Sequence, residues 1–234
     1  MELKTKSSFK NAGYAFAGIL LLALLGFWPS YFSHFFSDSA NFNFYFHFHA
    51  AVVSLWMIAL IAQPMMMKAK RFALHKTIGK FSYVLFPLLI VSVILLTHHR
   101  HSATEKDLEM SIFIPFKDLL ILATGYVIAI FNLTNTQLHA RGMVVTGIAF
   151  IEPPMIRLIS NANISFPNSY YLTMACVLLL LLLLIYLERK HLEGKWIFPF
   201  TMGLYIVSYF IILFHVQLPH WNAFVNWFIR LPLT

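Results

Sequence analysis

Apolar runs about as long as a membrane is thick recur along this 234-residue chain, and few charges interrupt them. Crossing a hydrocarbon core of about 30 Å takes about 20 helical residues. Within that core no water is available to pair backbone N–H and C=O groups, so each segment must satisfy its own. The pattern therefore predicts an all-α polytopic membrane protein. Composition agrees. Charged residues make up 11% of the chain, against roughly 25% in soluble domains, which leaves too little polar surface to face water on all sides.

The runs place seven transmembrane helices, at 14–33, 45–66, 77–97, 111–131, 142–160, 169–187 and 196–216. They form one integral membrane domain spanning 1–234, with a central bundle expected from spans two to five, where most polar side chains fall. The sixth span carries the leucine run Leu178 to Leu184 and reads as a peripheral, lipid-facing helix without functional side chains. After Pro219, Trp221, Phe224, Val225 and Phe228 recur at i, i+3, i+4 and i+7. This spacing predicts an amphipathic helix at 219–231 lying in the interface, an anchor rather than a lid.

The net charge of +8 invites a nucleic-acid reading, but the basic residues are arranged as topology signals. Lys4, Lys6, Lys10, the stretch Lys68, Lys70, Arg71, Lys76 and Lys80, then Arg141, Arg189, Lys190 and Lys195 all fall on one side of the predicted spans. Arg100, Lys106 and Arg230 fall on the other. The positive-inside rule places the N-terminus in the cytoplasm and the C-terminus outside, in a bacterial inner membrane, with lipid and not nucleic acid as the partner. The basic start resembles a signal peptide, but without a clear small-residue cleavage site after it the first run reads as an uncleaved span. The single cysteine, Cys176, lies in an apolar run and excludes a disulfide framework.

The chemistry concentrates in the 11 histidines, which lie near span ends. Ionisable groups at membrane depth are costly, and each is a site candidate. On the cytoplasmic side His75 and His139 each open a span, and His191 lies beyond. Gly79 follows His75 by one helical turn, so it shares that face and would let a flat macrocycle approach. Lys76, Lys80 and Arg141 are positioned for haem propionates, and Gln63 and Tyr83 for tuning. This constellation suits b-type haem held by two histidines. The alternative is that both histidines are interfacial capping residues.

On the outer side lie His49, Asp118, Glu152, Arg157 and His215. Buried charges are expected in pairs, so Asp118 or Glu152 should meet Arg157. His49, Asp118, Glu152 and His215 could instead hold iron, manganese or zinc. Pro153-Pro154 after Glu152 interrupts helical hydrogen bonding and suggests a pocket in the fifth span. The loop His98-His99-Arg100-His101 reads as solvated, or as a loose divalent-ion or acid sensor. No histidine box, His-Glu-x-x-His, P-loop or Ser–His nucleophile pattern occurs.

His49 with Gln63, His75-Lys76-Thr77-Ile78-Gly79 with Tyr83, His139-Ala140-Arg141, and Arg157-Leu158 together resemble an uncharacterised family of bacterial multi-pass membrane proteins. The likeness covers roughly 46–160 and brings no activity with it. In setting histidines on neighbouring spans, the chain is also distantly similar to b-type cytochrome helical membrane domains. Lys80 stands where the pattern often has Arg, and Glu152 is outside it. Three functions fit the residues. One is a haem-binding redox protein exchanging electrons with quinone or a redox partner. The second is a non-haem metal enzyme or metal-handling assembly factor. The third is a proton-coupled transporter or sensor that needs no cofactor, in which Asp118, Glu152 and Arg157 form the relay.

Overall fold

Five helices in the computed structural model are long and apolar enough to cross a membrane, as an integral membrane protein requires. The structure describes residue 9 and residues 11–36, 43–190 and 193–234. Among them every regular element is helical: α1 (Ala12–Phe27), a 3-10 turn (Phe32–Phe36), α2 (Phe44–Lys68), α3 (Phe72–Arg100), α4 (Leu108–Phe131), α5 (Thr136–Ile148), α6 (Glu152–Asn161), α7 (Asn168–Glu188), α8 (Ile197–Leu213) and α9 (Trp221–Phe228). The membrane-capable segments are α2, α3, α4, the continuous pair α5–α6, and α7; α1 and α8 are shorter apolar helices. Lys4, Lys6, Lys10 and His191 lie outside the described residues.

Short connections make consecutive helices antiparallel neighbours, and two such hairpins dominate the packing, α2 against α3 and α4 against α5. Lipid tails are as apolar as leucine, so helices in a bilayer associate where small residues let backbones approach. Gly125 and Gly142 provide that contact between α4 and α5. A Cβ on Gly142 would sit 2.6 Å from the Ala129 nitrogen and 2.7 Å from the Gly125 oxygen. Any side chain there would push the helices apart.

The fifth span breaks at Ala149 to Ile151, where Glu152-Pro153-Pro154 starts a new helix. Proline suits a first turn because the amide it lacks has no helical partner there. At Pro154 the break is met by another helix. It is filled by α1, whose Gly26 presses against the Pro154 carbonyl so closely that a Cβ would collide with it.

The buried core extends beyond spans two to five. It takes Phe16 from α1, Tyr170, Met174, Val177 and Leu181 from α7, and Phe198, Tyr205 and Tyr209 from α8. The leucine-rich α7 is thus two-faced: Leu179, Leu182 and Leu183 are exposed, whereas Tyr170, Thr173 and Glu188 are buried. The tail helix α9 folds onto α4. Phe116 meets Trp221, Phe224 and Phe228 edge-on, the Trp221 indole donates to the Glu109 carbonyl at 3.0 Å, and Trp227 stays exposed.

Candidate functional site: a lysine shared by two carboxylates

Polar side chains collect at several points in the bundle, and one such group with more than one carboxylate lies between α4, α6, α7 and α8. Its centre is Lys117, which comes one residue before Asp118 in an otherwise apolar stretch of α4. Its ammonium donates to Asp118 Oδ1 at 2.6 Å and to Glu152 Oε1 at 2.7 Å. The other Glu152 oxygen, Oε2, accepts from the Tyr209 hydroxyl at 2.9 Å. Lys117 and Glu152 side chains are each 1% exposed and Asp118 is 18% exposed, so Asp118 is the accessible member. Glu152 occupies the first turn of α6, where the partial positive charge of a helix N-terminus favours a carboxylate.

Tyrosines wall this cluster. The ammonium stands 5.7 Å from the Tyr205 ring centre and 5.6 Å from that of Tyr209, close enough for the ring faces to add to its stabilisation. The Tyr205 hydroxyl is buried with no hydrogen-bond partner among the described residues, the buried Tyr170 hydroxyl faces Glu152, and both lie in electrostatic reach of Glu152 and Asp118. With both carboxylates ionised, one ammonium faces two negative charges. A single proton taken up by the cluster would cancel the excess.

The sequence pairs these carboxylates with Arg157, but the structure pairs them with Lys117. Arg157 donates to the Pro153 carbonyl of its own helix at 2.8 Å and lies 4.4 Å over the Phe27 ring. A lysine next to an aspartate, deep in an apolar run, was the signal for this site; sorting basic residues by loop passes over it.

The other proposed outer ligands are dispersed. His49 turns to α3, its Nδ1 lying 3.1 Å from Ser92 Oγ. Ser92 gives its own proton to the Leu89 carbonyl, so it is His49 that donates. His215 lies beyond the end of α8, exposed, beside an open groove of about 480 Å³ bounded by Glu105, Glu109 and Trp221. Among the described residues no three His, Cys, Asp or Glu side chains come together to hold a metal ion. Between Asp118 and Glu152 stands an ammonium, where the metal reading needs a cation.

The His98–His101 run also separates. His98 is buried against Thr234 Oγ1 at 2.6 Å, and His99 Nε2 lies 3.3 Å from Asn43 Nδ2. His101 meets Glu105 at 2.7 Å. That contact, lying outside the helices, holds the Glu105 carboxyl below its ordinary value.

At the opposite end, His75 and His139 are in electrostatic reach of each other. His139 Nδ1 lies 2.9 Å from the Ala129 carbonyl, which can only accept, so the proton is on Nδ1 and the Nε2 lone pair is free. His75 is engaged differently. With its amide turned to satisfy both neighbours, Gln63 donates to the His75 Nδ1 and, at 3.3 Å, to the His75 carbonyl, while accepting from the Gly79 N–H at 3.0 Å. Gln63 thus clamps the first turn of α3 and borders Gly79, where its amide would be 3.8 Å from an added Cβ. Ser82 extends this unit, donating to the Gly79 carbonyl at 2.7 Å and lying 3.2 Å from the Tyr126 hydroxyl. Lys76, Lys80 and Tyr83 are exposed.

Arg141 is fully buried and already committed. It donates to Glu188, to the Gln137 carbonyl at 3.0 Å and to Gln137 Oε1 at 2.8 Å. It also covers Phe9, with 5.5 Å to the ring centre. This arginine ties α5 to α7, whereas the haem reading gives it to a propionate. No known protein-family model, curated protein or solved structure matches this chain.

Proposed function

We propose that the chain handles protons within the membrane, as a proton-coupled transporter or sensor, with Lys117, Asp118, Glu152 and Tyr209 as the exchanging unit. One observation carries this reading: a single buried ammonium is shared between two carboxylates at membrane depth. Ionisable groups in that position are expensive to keep, and proton relays are among their characteristic uses. Asp118 is the entry point because it is the accessible member. Glu152, held by both Lys117 and Tyr209, is where charge is stored.

In this reading α1 and α8 also cross, giving seven passes with α9 at the interface. At 16 and 17 residues they span about 24–26 Å at 1.5 Å per residue, and flanking residues complete the crossing. The end bearing Lys68, Lys70, Arg71, Arg189 and Lys190 is cytoplasmic by the positive-inside rule, in a bacterial inner membrane.

Infrared difference spectroscopy on the full chain in vesicles, stepped between neutral and acid pH, tests the proposal without a known substrate. The expected result is a protonated-carboxyl band that grows at acid pH and disappears in Glu152→Gln or Asp118→Asn. A pH-silent spectrum, or a band untouched by both variants, would sink it.

A second reading, b-type haem between His75 and His139, draws on the free Nε2 of His139 and the nearness of His75. The residues fit it only in part, because Gln63 holds Nδ1 of His75 and Glu188 holds Arg141. It requires a Soret band that disappears in His139→Ala.

A further inference from the structure

The turn between α2 and α3 concentrates positive charge. Lys68, Lys70, Arg71, Lys76 and Lys80 fall within 13 residues, and no Asp or Glu occurs from residue 39 to residue 104. All five side chains are exposed. Both helices are long and apolar enough to cross the membrane, so their shared turn emerges where headgroups lie.

The turn is closed by its own backbone. The Arg71 N–H donates to the Met66 carbonyl at 2.9 Å and the Lys70 N–H to the Met67 carbonyl at 3.1 Å, with Lys70 in the left-handed region at φ 59°. Lys68 is held in place as well. Its ammonium donates to Asn11 Oδ1 at 3.3 Å and stands 5.0 Å from the Tyr14 ring centre. It borders a cleft of about 180 Å³ between the start of α1 and the end of α2, lined also by Gly13, Met65 and Ala69. A Cβ on Gly13 would lie 3.0 Å from the Ile61 carbonyl oxygen and from Met65, so the two helices are in close contact at this cleft.

A cleft with an ammonium on its border and thioether, methyl and ring carbons in its walls matches the part of a phospholipid where the phosphate meets the glycerol. A lysine ammonium has three donors, and Asn11 takes one. The others are available for charge-assisted hydrogen bonds to phosphate oxygens. Lys70 and Arg71 add attraction at longer range, each cation near an anionic surface strengthening binding about fivefold. Phe72, Leu74 and Phe81 are exposed among these cations. A soluble acidic partner would meet the charges and leave those apolar groups in water, whereas a lipid leaflet meets both.

We infer that the α2–α3 turn, with the Lys68 cleft beside it, is a binding surface for anionic phospholipid headgroups of the leaflet that meets it. The surface is separate from the proton-exchange cluster and stands whether or not that cluster exchanges protons.

The test uses the full chain purified in a neutral detergent and stripped of lipid. Phosphatidylglycerol or phosphatidylcholine is added in mixed micelles, and native mass spectrometry counts the lipids retained. Wild type is expected to retain phosphatidylglycerol in preference to phosphatidylcholine, and the preference should shrink as salt is raised. Lys68→Gln is expected to weaken phosphatidylglycerol binding about fivefold, and Lys68→Gln with Lys70→Gln and Arg71→Gln about a hundredfold. Lys106→Gln, an exposed cation in the loop at the other end of α3, should leave it unchanged. If Lys68→Gln does not fold, the pair Lys70→Gln and Arg71→Gln, outside the cleft, is expected to weaken the same binding. Equal retention of the two lipids by wild type, a preference kept in every variant of the turn that folds, or an equal loss in Lys106→Gln would overturn the proposal.

Discussion

Arg141 and Arg157 belong to the same broken span, one in α5 and one in α6, and their charges are met in opposite ways. Arg141 is fully enclosed, bonded to Glu188 from α7 and to Gln137 from its own helix. Arg157 is half-buried, with a backbone carbonyl and a phenyl ring as its contacts. The difference separates a cation that holds helices together from one whose donors remain available. A buried ion pair is weak evidence of net stability, but removing one member leaves the other charged and unsolvated. An arginine without a carboxylate leaves no such orphan when it is removed.

The largest effect expected from breaking this contrast is at Arg141. Arg141→Met strands Glu188 and should cost about 3–5 kcal/mol, read as a lower unfolding midpoint in detergent. Adding Glu188→Met should recover most of the loss, because the uncompensated charge is then gone. A double variant no more stable than the single one would show that Arg141 acts through packing.

Arg157→Leu should behave otherwise. Losing a cation that has no acid partner among the described residues is expected to change stability by about 1 kcal/mol or less, of either sign. A loss as large as that of Arg141→Met would erase the distinction. It would place a carboxylate at Arg157 that the structure does not pair with it.

The smallest effect concerns the loop contact of His101 with Glu105. Burial is slight there, so Glu105→Gln should cost about 0.5 kcal/mol or less. The sign follows from the carboxyl being held low by His101. Its stabilisation is present above the unfolded value and is lost as pH falls through the lowered folded one. Melting curves of wild type and Glu105→Gln should therefore differ near neutral pH and converge at acid pH. A gap that widens on acidification would contradict this pairing.

Much of the architecture was legible in the apolar runs. Where α2, α3, α4, α5–α6 and α7 lie follows the predicted spans closely. The polar groups were legible as candidates but not as partners. Glu152 was singled out, and the prolines after it do mark a helix start, yet its cation proved to be the neglected Lys117. Gly79 is expected to leave its face open, and the nearest group there is the Gln63 amide, 3.8 Å from an added Cβ. The leucine-rich α7 was expected to carry no functional side chain, whereas its Tyr170 lies by the lysine cluster and its Glu188 holds Arg141.

By itself the sequence determined the helical membrane class, because transfer of a side chain into hydrocarbon is a local property that sums along each run. Only the tertiary structure decided which charge meets which. These helices are apolar nearly all round, so periodicity does not reveal which face turns inward. The pairings of Lys117 with Glu152 and of Arg141 with Glu188 join residues 35 and 47 positions apart. They depend on the rotation and neighbours each helix acquires in packing, above all where Gly26, Gly125 and Gly142 let backbones touch.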